Sequence, residues 1–359
     1  MITPEQAGAF LTVDLKKIAD NWRAVQKRVG DKTQAAAVLK TDAYGLGAQK
    51  IASALYRAGC RAFFTAYVFE AAALRQVLPE DARIYVLHGV LPHTELDFLK
   101  YNLIPVLSTP RQIAAWNHLG HKENRILPAA LHVDTGMTRL GLTETDVDAV
   151  CANVPAYLNI SLVVSHLACA DDPENPKNKD QLKRFDGLCA RLRAALSNPF
   201  KESLSATDGS RLENPAYYKD LVRPGIALYD GAVSLEAKIL QIQDAVPEQT
   251  IGYGATHAFK ENARVAALAI GYGDGYPRTL ANKGYVWLAG RKAPVIGRIS
   301  MDLTTVDVTG IDPRELQNTP TAEIFGPHCP IKEIAKLAGT IDYELLTNLS
   351  KRFYRIYMD

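Results

Sequence analysis

The chain has 359 residues, 47% of them hydrophobic and 22% charged, and 41 basic against 39 acidic side chains leave a formal net charge of +2. That is ample apolar material for a large core, and a rough allowance of about 150 residues per domain points to two domains. The near-neutral balance argues against nucleic acid or an anionic membrane as partner, and no apolar run is long enough to span a bilayer.

In chain order, residues 1–10 lack the basic start and apolar core of a signal peptide. Cys60, Cys151, Cys169, Cys189 and Cys329 show no CxxC spacing and read as reduced thiols of a cytoplasmic protein. Leu15, Ile18, Trp22, Val25 and Val29 recur at helical spacing, with Asp14 as N-cap. Ala35–Leu39 is a short apolar run, hence a buried strand. Further strands are expected at Ala62–Ala66, Ile84–Leu87, Ile104–Leu107, Ala130–Val133, Ile160–Ser165, Leu204–Thr207 and Gly225–Tyr229. Helices are expected at 46–58, 69–77, 93–100, 110–119, 144–152 and 179–196. Eight short strands alternating with helices suit a (β/α)8 TIM-type barrel over residues 1–235; a doubly wound open sheet has the same periodicity. After residue 235 the texture changes. Ala237–Ala245, Arg264–Ile270, Gly284–Ala289, Ala293–Arg298 and Leu303–Val308 are β-like, and only 331–338 and 343–350 look helical. Residues 236–359 are therefore expected to form a mainly β C-terminal domain.

The sharpest segment for chemistry is Ala37–Gly47, AVLKTDAYGLG. Lys40 stands directly after an apolar strand, before a glycine-punctuated turn into a helix, which in a barrel is the rim where active sites are built. A lysine in that place is ordinarily a solvated surface residue. The wider segment, however, resembles the cofactor-lysine motif of alanine racemases, V-K-A-N-A-Y-G-H-G. Six further segments resemble motifs of the same family in the same order: VDTGMTRLG at 133–141, SHLA at 165–168, VRPGI at 222–226, YGAT at 253–256, GYGDG at 271–275 and GRISMD at 297–302. Each is weak alone; together they extend the resemblance from about Leu11 to Arg352.

The resemblance implies an enzyme dependent on pyridoxal 5′-phosphate that interconverts L- and D-alanine and supplies D-alanine for peptidoglycan. It implies that Lys40 carries the cofactor and that Tyr44 bonds its phosphate. Arg139 would bond the phenolic oxygen and help hold the substrate carboxylate, and His166 would pack on the pyridine ring. Arg223 would face the pyridine nitrogen; an arginine there keeps the ring a weaker electron sink than an acidic partner would. Gly225 and Ile226 would offer backbone amides to the phosphate. Racemisation needs a group on each face of the planar intermediate. Lys40 serves one face, and Tyr253, from the other subunit of a homodimer with shared sites, serves the other through a relay to His166 and Arg223. Met301 would bind the carboxylate by its amide, with Asp302 ordering that loop. Tyr272, Arg278 and Arg298 match positions lining an access corridor that admits small amino acids.

The chain departs from the pattern in three places. His132 stands where many members have a lysine that is often carbamylated. Lys351 stands where many have a phosphate-binding tyrosine, with Tyr354 as an alternative. The serine of the phosphate site is blurred in Leu204–Gly209; Thr207 is chosen as its hydroxyl, with Asp208 the ungapped alternative, because a carboxylate would repel a phosphate. His118 and His121 have metal-like spacing but no third ligand, so no metal is expected. A cofactor-binding barrel without catalysis would lack the Tyr253 and Met301 segments, and a decarboxylase on the same scaffold would lack Arg223. A serine or broader-specificity amino-acid racemase is the nearest alternative.

Overall fold

The computed structural model describes residues 2–359. Two compact units divide it: one holds Ile18–Ala43 and Gly47–Tyr229, the other the stretch up to Lys17, Tyr44–Leu46 and Asp230–Asp359. No helix among the described residues is long and apolar enough to cross a membrane.

The first unit is a (β/α)8 barrel. The strands Ala37–Val38, Ala62–Thr65, Arg83–Val86, Ile104–Leu107, Leu127–His132, Leu158–Val164 and Lys201–Ser203 pair in chain order, all parallel. The eighth, Leu221–Val222, closes the ring: it pairs with Gln34–Ala35, and on its other side the Asp220 amide donates to the Glu202 carbonyl at 3.0 Å. Alternate residues of each strand face inward, which is why the runs are apolar throughout. Val38, Phe64, Tyr85, Val106, Ala130 and Leu162 form a buried cluster, with the Phe64 and Tyr85 rings stacked at 4.7 Å. The outer helices start at legible caps. Thr109 accepts the Gln112 amide ahead of Pro110, and Thr143 and Asp146 form a capping box.

Two strands lie elsewhere than the apolar runs suggest. The seventh and eighth end at Ser203 and Val222, before Leu204–Thr207 and Gly225–Tyr229. Pro224 has no N–H for the ladder, and the residues after it form a 3-10 turn, Ile226–Tyr229. Both stretches are rim loops, in which Leu204, Leu228 and Tyr229 are buried.

The second unit is mainly β. Its long strand Val233–Ala245 pairs at one end with Ala9–Asp14 and Thr321–Phe325. After a register shift between Ile239 and Gln241 it pairs with Ala263–Leu268, which pairs in turn with Thr304–Asp307. Ala9–Asp14 also pairs with Tyr354–Met358, so both ends of the chain lie in this sheet. The strand expected at Ala293–Arg298 is Arg291–Pro294, paired with Tyr285–Leu288. Only short helices accompany the sheet, among them Ile331–Ala338 and Asp342–Thr347.

Candidate active site

The barrel carries its predicted site residues past the carboxyl ends of its strands. Lys40 follows Ala37–Val38, Arg139 lies in the loop after Leu127–His132, and His166 follows Leu158–Val164. Thr207 follows Lys201–Ser203, and Arg223 follows Leu221–Val222.

Arg223 is buried. Its Nη1 donates to the Ser203 carbonyl at 2.8 Å and to the Ser203 hydroxyl, and its Nη2 donates to the Ser165 carbonyl. Burial lowers its pKa to about 10. The two terminal nitrogens are thus spent on backbone and hydroxyl acceptors, and Nε is the donor left for a ligand. Burial, then Arg223, Arg139, Lys40 and His132, push His166 down to about 3. Burial and the charges of Arg223 and Arg139 push His132 down to about 4, and its Nδ1 lies 3.3 Å from the Ser108 hydroxyl. Both imidazoles are therefore neutral near pH 7. Desolvation, then Arg139, lower the pKa of Lys40, while Glu70 opposes them. Lys40, Arg139, His166 and Arg223 make a rim rich in cations and donors, the complement of a ligand carrying phosphate and carboxylate.

Thr207 is buried, and its Oγ1 accepts the Gly225 amide at 3.0 Å and the Ala227 amide at 3.4 Å. Ile226 stands between these two donors. Asp208 instead pairs with Arg211 at 3.0 Å. Both amides are thus donated to the Thr207 oxygen, which leaves its own O–H as a donor for an anion. These residues fit pyridoxal phosphate: an amine for the aldehyde, a hydroxyl donor for the phosphate and a guanidinium nitrogen for the ring. Ala227 was not among the expected residues, since an amide donor leaves no mark on its own side chain.

The chain leaving Lys40 is unusual. Thr41, Asp42, Ala43 and Tyr44 have φ of 55°, 53°, 53° and 59°, and Gly45 has 81°, so the turn is left-handed. Each non-glycine residue there costs about 1–2 kcal/mol. Gly45 has no alternative residue: a Cβ would stand 2.7 Å from the Leu346 carbonyl oxygen.

The second unit carries the other predicted residues. Tyr44 is buried, with its ring 5.9 Å from that of Tyr343. Burial, then Tyr343 and Asp342, hold the Tyr44 hydroxyl well above its usual range. Tyr253 is 72% exposed and Met301 55%. The turn Tyr253–Ala255 has φ of 75° at Gly254, where a Cβ would stand 2.8 Å from Nη1 of Arg298. Arg298 thus packs on the turn that presents Tyr253, three residues before Met301. The Met301 carbonyl accepts the Gly273 amide at 2.9 Å, and the Ser300 carbonyl accepts the Tyr272 amide at 3.0 Å. Asp302 pairs with Arg352 at 2.8 Å, and the same guanidinium reaches the buried Asp274 at 3.3 Å. Lys351 is exposed, and Tyr354 packs its ring edge-on to Phe10 at 6.3 Å.

Residues 13–232 match the family of alanine racemase N-terminal domains, and residues 232–357 match that of alanine racemase C-terminal domains. The alanine racemase of Rhodospirillum rubrum is 41% identical over 371 residues, covering 98% of this chain and 96% of that protein. The biosynthetic alanine racemase of Agrobacterium fabrum is 42% identical over 379 residues, covering 99% and 95%. The crystal structure of alanine racemase from Bartonella henselae with covalently bound pyridoxal phosphate superposes with a TM-score of 0.92 at 37% identity, covering 98% of this chain and 100% of that one.

Proposed function

The chain belongs to the alanine racemase family, a pyridoxal-phosphate-dependent amino-acid racemase by descent, and we propose that Lys40 and Tyr253 are its two proton-transfer groups in interconverting L- and D-alanine. The observation that carries this reading is the cationic rim around Lys40, with neutral His166 and Arg223 beside it.

Pyridoxal phosphate, when bound, supplies the electron sink that makes the Cα hydrogen acidic. Lys40 would hold it through its amine and would take or return the proton on one face of Cα. Desolvation and Arg139 lower the lysine's pKa, which leaves more of it as the free amine that a base requires. The Thr207 hydroxyl, with the Gly225 and Ile226 amides and the Tyr44 hydroxyl, would hold the phosphate. Arg223 would face the pyridine nitrogen, with Nε as the donor its other bonds leave, and would keep its proton. His166 would pack on the ring. Arg139 and the Met301 amide grip the substrate carboxylate, and Asp302 orders the Met301 loop through Arg352.

The opposite face is served by Tyr253 of the partner subunit in a homodimer. The exposure of Tyr253 in the single chain supports that reading. D-Alanine presents its Cα hydrogen to Lys40 and L-alanine to the tyrosine. The enzyme acts in the cytoplasm and supplies D-alanine for peptidoglycan, and nucleic acid and membrane have no part in it.

Two measurements test the reading. Borohydride reduction of the loaded enzyme, then peptide mapping, should place the pyridoxyl group on Lys40; a label on another lysine would overturn the assignment. A chiral assay over a panel of amino acids should show alanine racemised fastest, whereas faster serine turnover would favour the broader-specificity alternative.

A further inference from the structure

The left-handed turn after Lys40 has a tether that the reaction chemistry does not name. In the barrel ladder, the Leu39 amide donates to the Phe64 carbonyl at 2.8 Å. Regular parallel pairing would next send the Thr41 amide to the Ala66 carbonyl. The chain turns away at Thr41 instead, and the Ala66 carbonyl accepts the His88 amide from the other side. The two strand ends therefore leave amides at Thr41 and Ala66 that the ladder cannot satisfy.

Glu70, in the first turn of the helix Val68–Arg75, takes both. Its Oε1 accepts the Thr41 amide at 2.7 Å, and its Oε2 accepts the Ala66 amide at 2.8 Å and the Tyr67 amide at 3.1 Å. The bonds to Ala66 and Tyr67 are those of a carboxylate at a helix start. The bond to Thr41 crosses to the neighbouring strand and holds the peptide bond that leaves Lys40.

Four consecutive non-glycine residues in the left-handed region are not self-sustaining. At its start the turn is otherwise tied locally, by the Ala43 amide to the Leu39 carbonyl at 2.9 Å, the Gly47 amide to the Asp42 carbonyl at 3.0 Å and the Ala48 amide to Asp42 Oδ1 at 2.7 Å, while at its far end the Gly45 carbonyl accepts Nη1 of Arg355 at 2.5 Å. At Thr41, the residue next to Lys40, the tie to the neighbouring repeat is Glu70, and it is a charge-assisted one.

We propose that Glu70 is a positioning residue for Lys40: by gripping the Thr41 amide it fixes the left-handed turn, and with it the approach of the lysine amine to the substrate's Cα. This rests on Lys40 serving the D-alanine face. The opposing influence of Glu70 on the charge of Lys40 shows that the carboxylate lies within electrostatic reach of the amine.

The test compares wild type with Glu70→Gln and Glu70→Ala. Glutamine keeps the shape and one acceptor but cannot accept at both ends. Amide exchange at Thr41, followed in the apoenzyme, should quicken by about 10-fold or more while melting stays within a few degrees. In the loaded enzyme kcat should fall by about 10- to 100-fold, the scale of a small misplacement. The deuterium isotope effect should rise with D-[2-²H]alanine and not with L-[2-²H]alanine, because only the Lys40 step is impaired. Equal rises for both enantiomers, or unchanged Thr41 exchange, would overturn the proposal. The Lys40 reading is judged separately: Lys40→Ala that still exchanges the Cα hydrogen of D-alanine would refute it, whereas Thr41 exchange reports on the tether in either case.

Discussion

His132 and His166 are held neutral beside Arg139 and Arg223, and this has a measurable consequence for stability. Their pKa values are pushed down to about 4 and about 3, burial first and the arginines next. In the unfolded chain an imidazole titrates near about 6.5. Between those values the unfolded chain binds protons that the folded one refuses. The contribution is therefore fully present above about pH 6.5 and is lost as the pH falls towards the folded values. Each group contributes at most about 1.4 kcal/mol per pH unit. Replacing His132 by asparagine, which keeps a polar neighbour for Ser108, should flatten the fall of the urea midpoint between about pH 6.5 and 4.5. A slope equal to wild type would mean that His132 is charged or well solvated in the fold. At this scale the sequence is readable where a residue acts through its side-chain chemistry within a motif. Lys40, Arg139 and Arg223 stand out so. Glu70 and Ala227 do not, because each acts through a bond between a side chain and a backbone amide whose two halves only the closed barrel brings together. The one available signal for Glu70 was its place three residues after Tyr67, the position of a capping carboxylate.

Among the elements, the loop that carries Met301 owes its shape to its neighbours. Its carbonyls at Ser300 and Met301 bond the Tyr272 and Gly273 amides. Gly271 must be glycine here, since a Cβ would stand 2.4 Å from the Met301 carbonyl oxygen. Arg352 spans the two loops from outside through Asp302 and Asp274. Burial raises the pKa of Asp274, with the Gly271 amide and Arg352 opposing it. Truncating Arg352 to alanine should let the Met301 loop drift without touching the cofactor site. KM for alanine should rise by roughly 2- to 10-fold, in line with losing a half-exposed pair, with kcat less affected and the cofactor absorbance unchanged. Steady-state kinetics decide it; a fall in kcat alone would place Arg352 elsewhere in the cycle. Most elements were legible because barrel strands and amphipathic helices carry their period locally. The strands Ala9–Asp14, Thr321–Phe325 and Tyr354–Met358 were not, since short strands are specified by partners far along the chain. The ends of the seventh and eighth barrel strands were misplaced because apolar rim loops look like strands until Pro224 is taken as a stop.

For the whole molecule, the decisive question is whether one chain suffices. Tyr253 and Met301, at 72% and 55% exposed, present large side chains to solvent from the β unit. A homodimer that shares its sites, as proposed above, would account for that exposure: each site would take Lys40 from one chain and Tyr253 of the partner subunit. Mixing Lys40→Ala with Tyr253→Phe distinguishes the arrangements. Either variant alone gives dimers in which every site lacks a base. A heterodimer of the two brings the intact lysine of one chain to the intact tyrosine of the other at one of its two sites, and the second site lacks both. Random exchange makes half the dimers heterodimers, so about a quarter of wild-type activity should return. If both groups came from the same chain, every site in every combination would still lack one of them, and nothing would return. Exchange must be shown independently, with differently tagged chains recovered together. Tagged heterodimers that stay inactive would sink the shared-site dimer while leaving Lys40 and Tyr253 as candidates within a single chain.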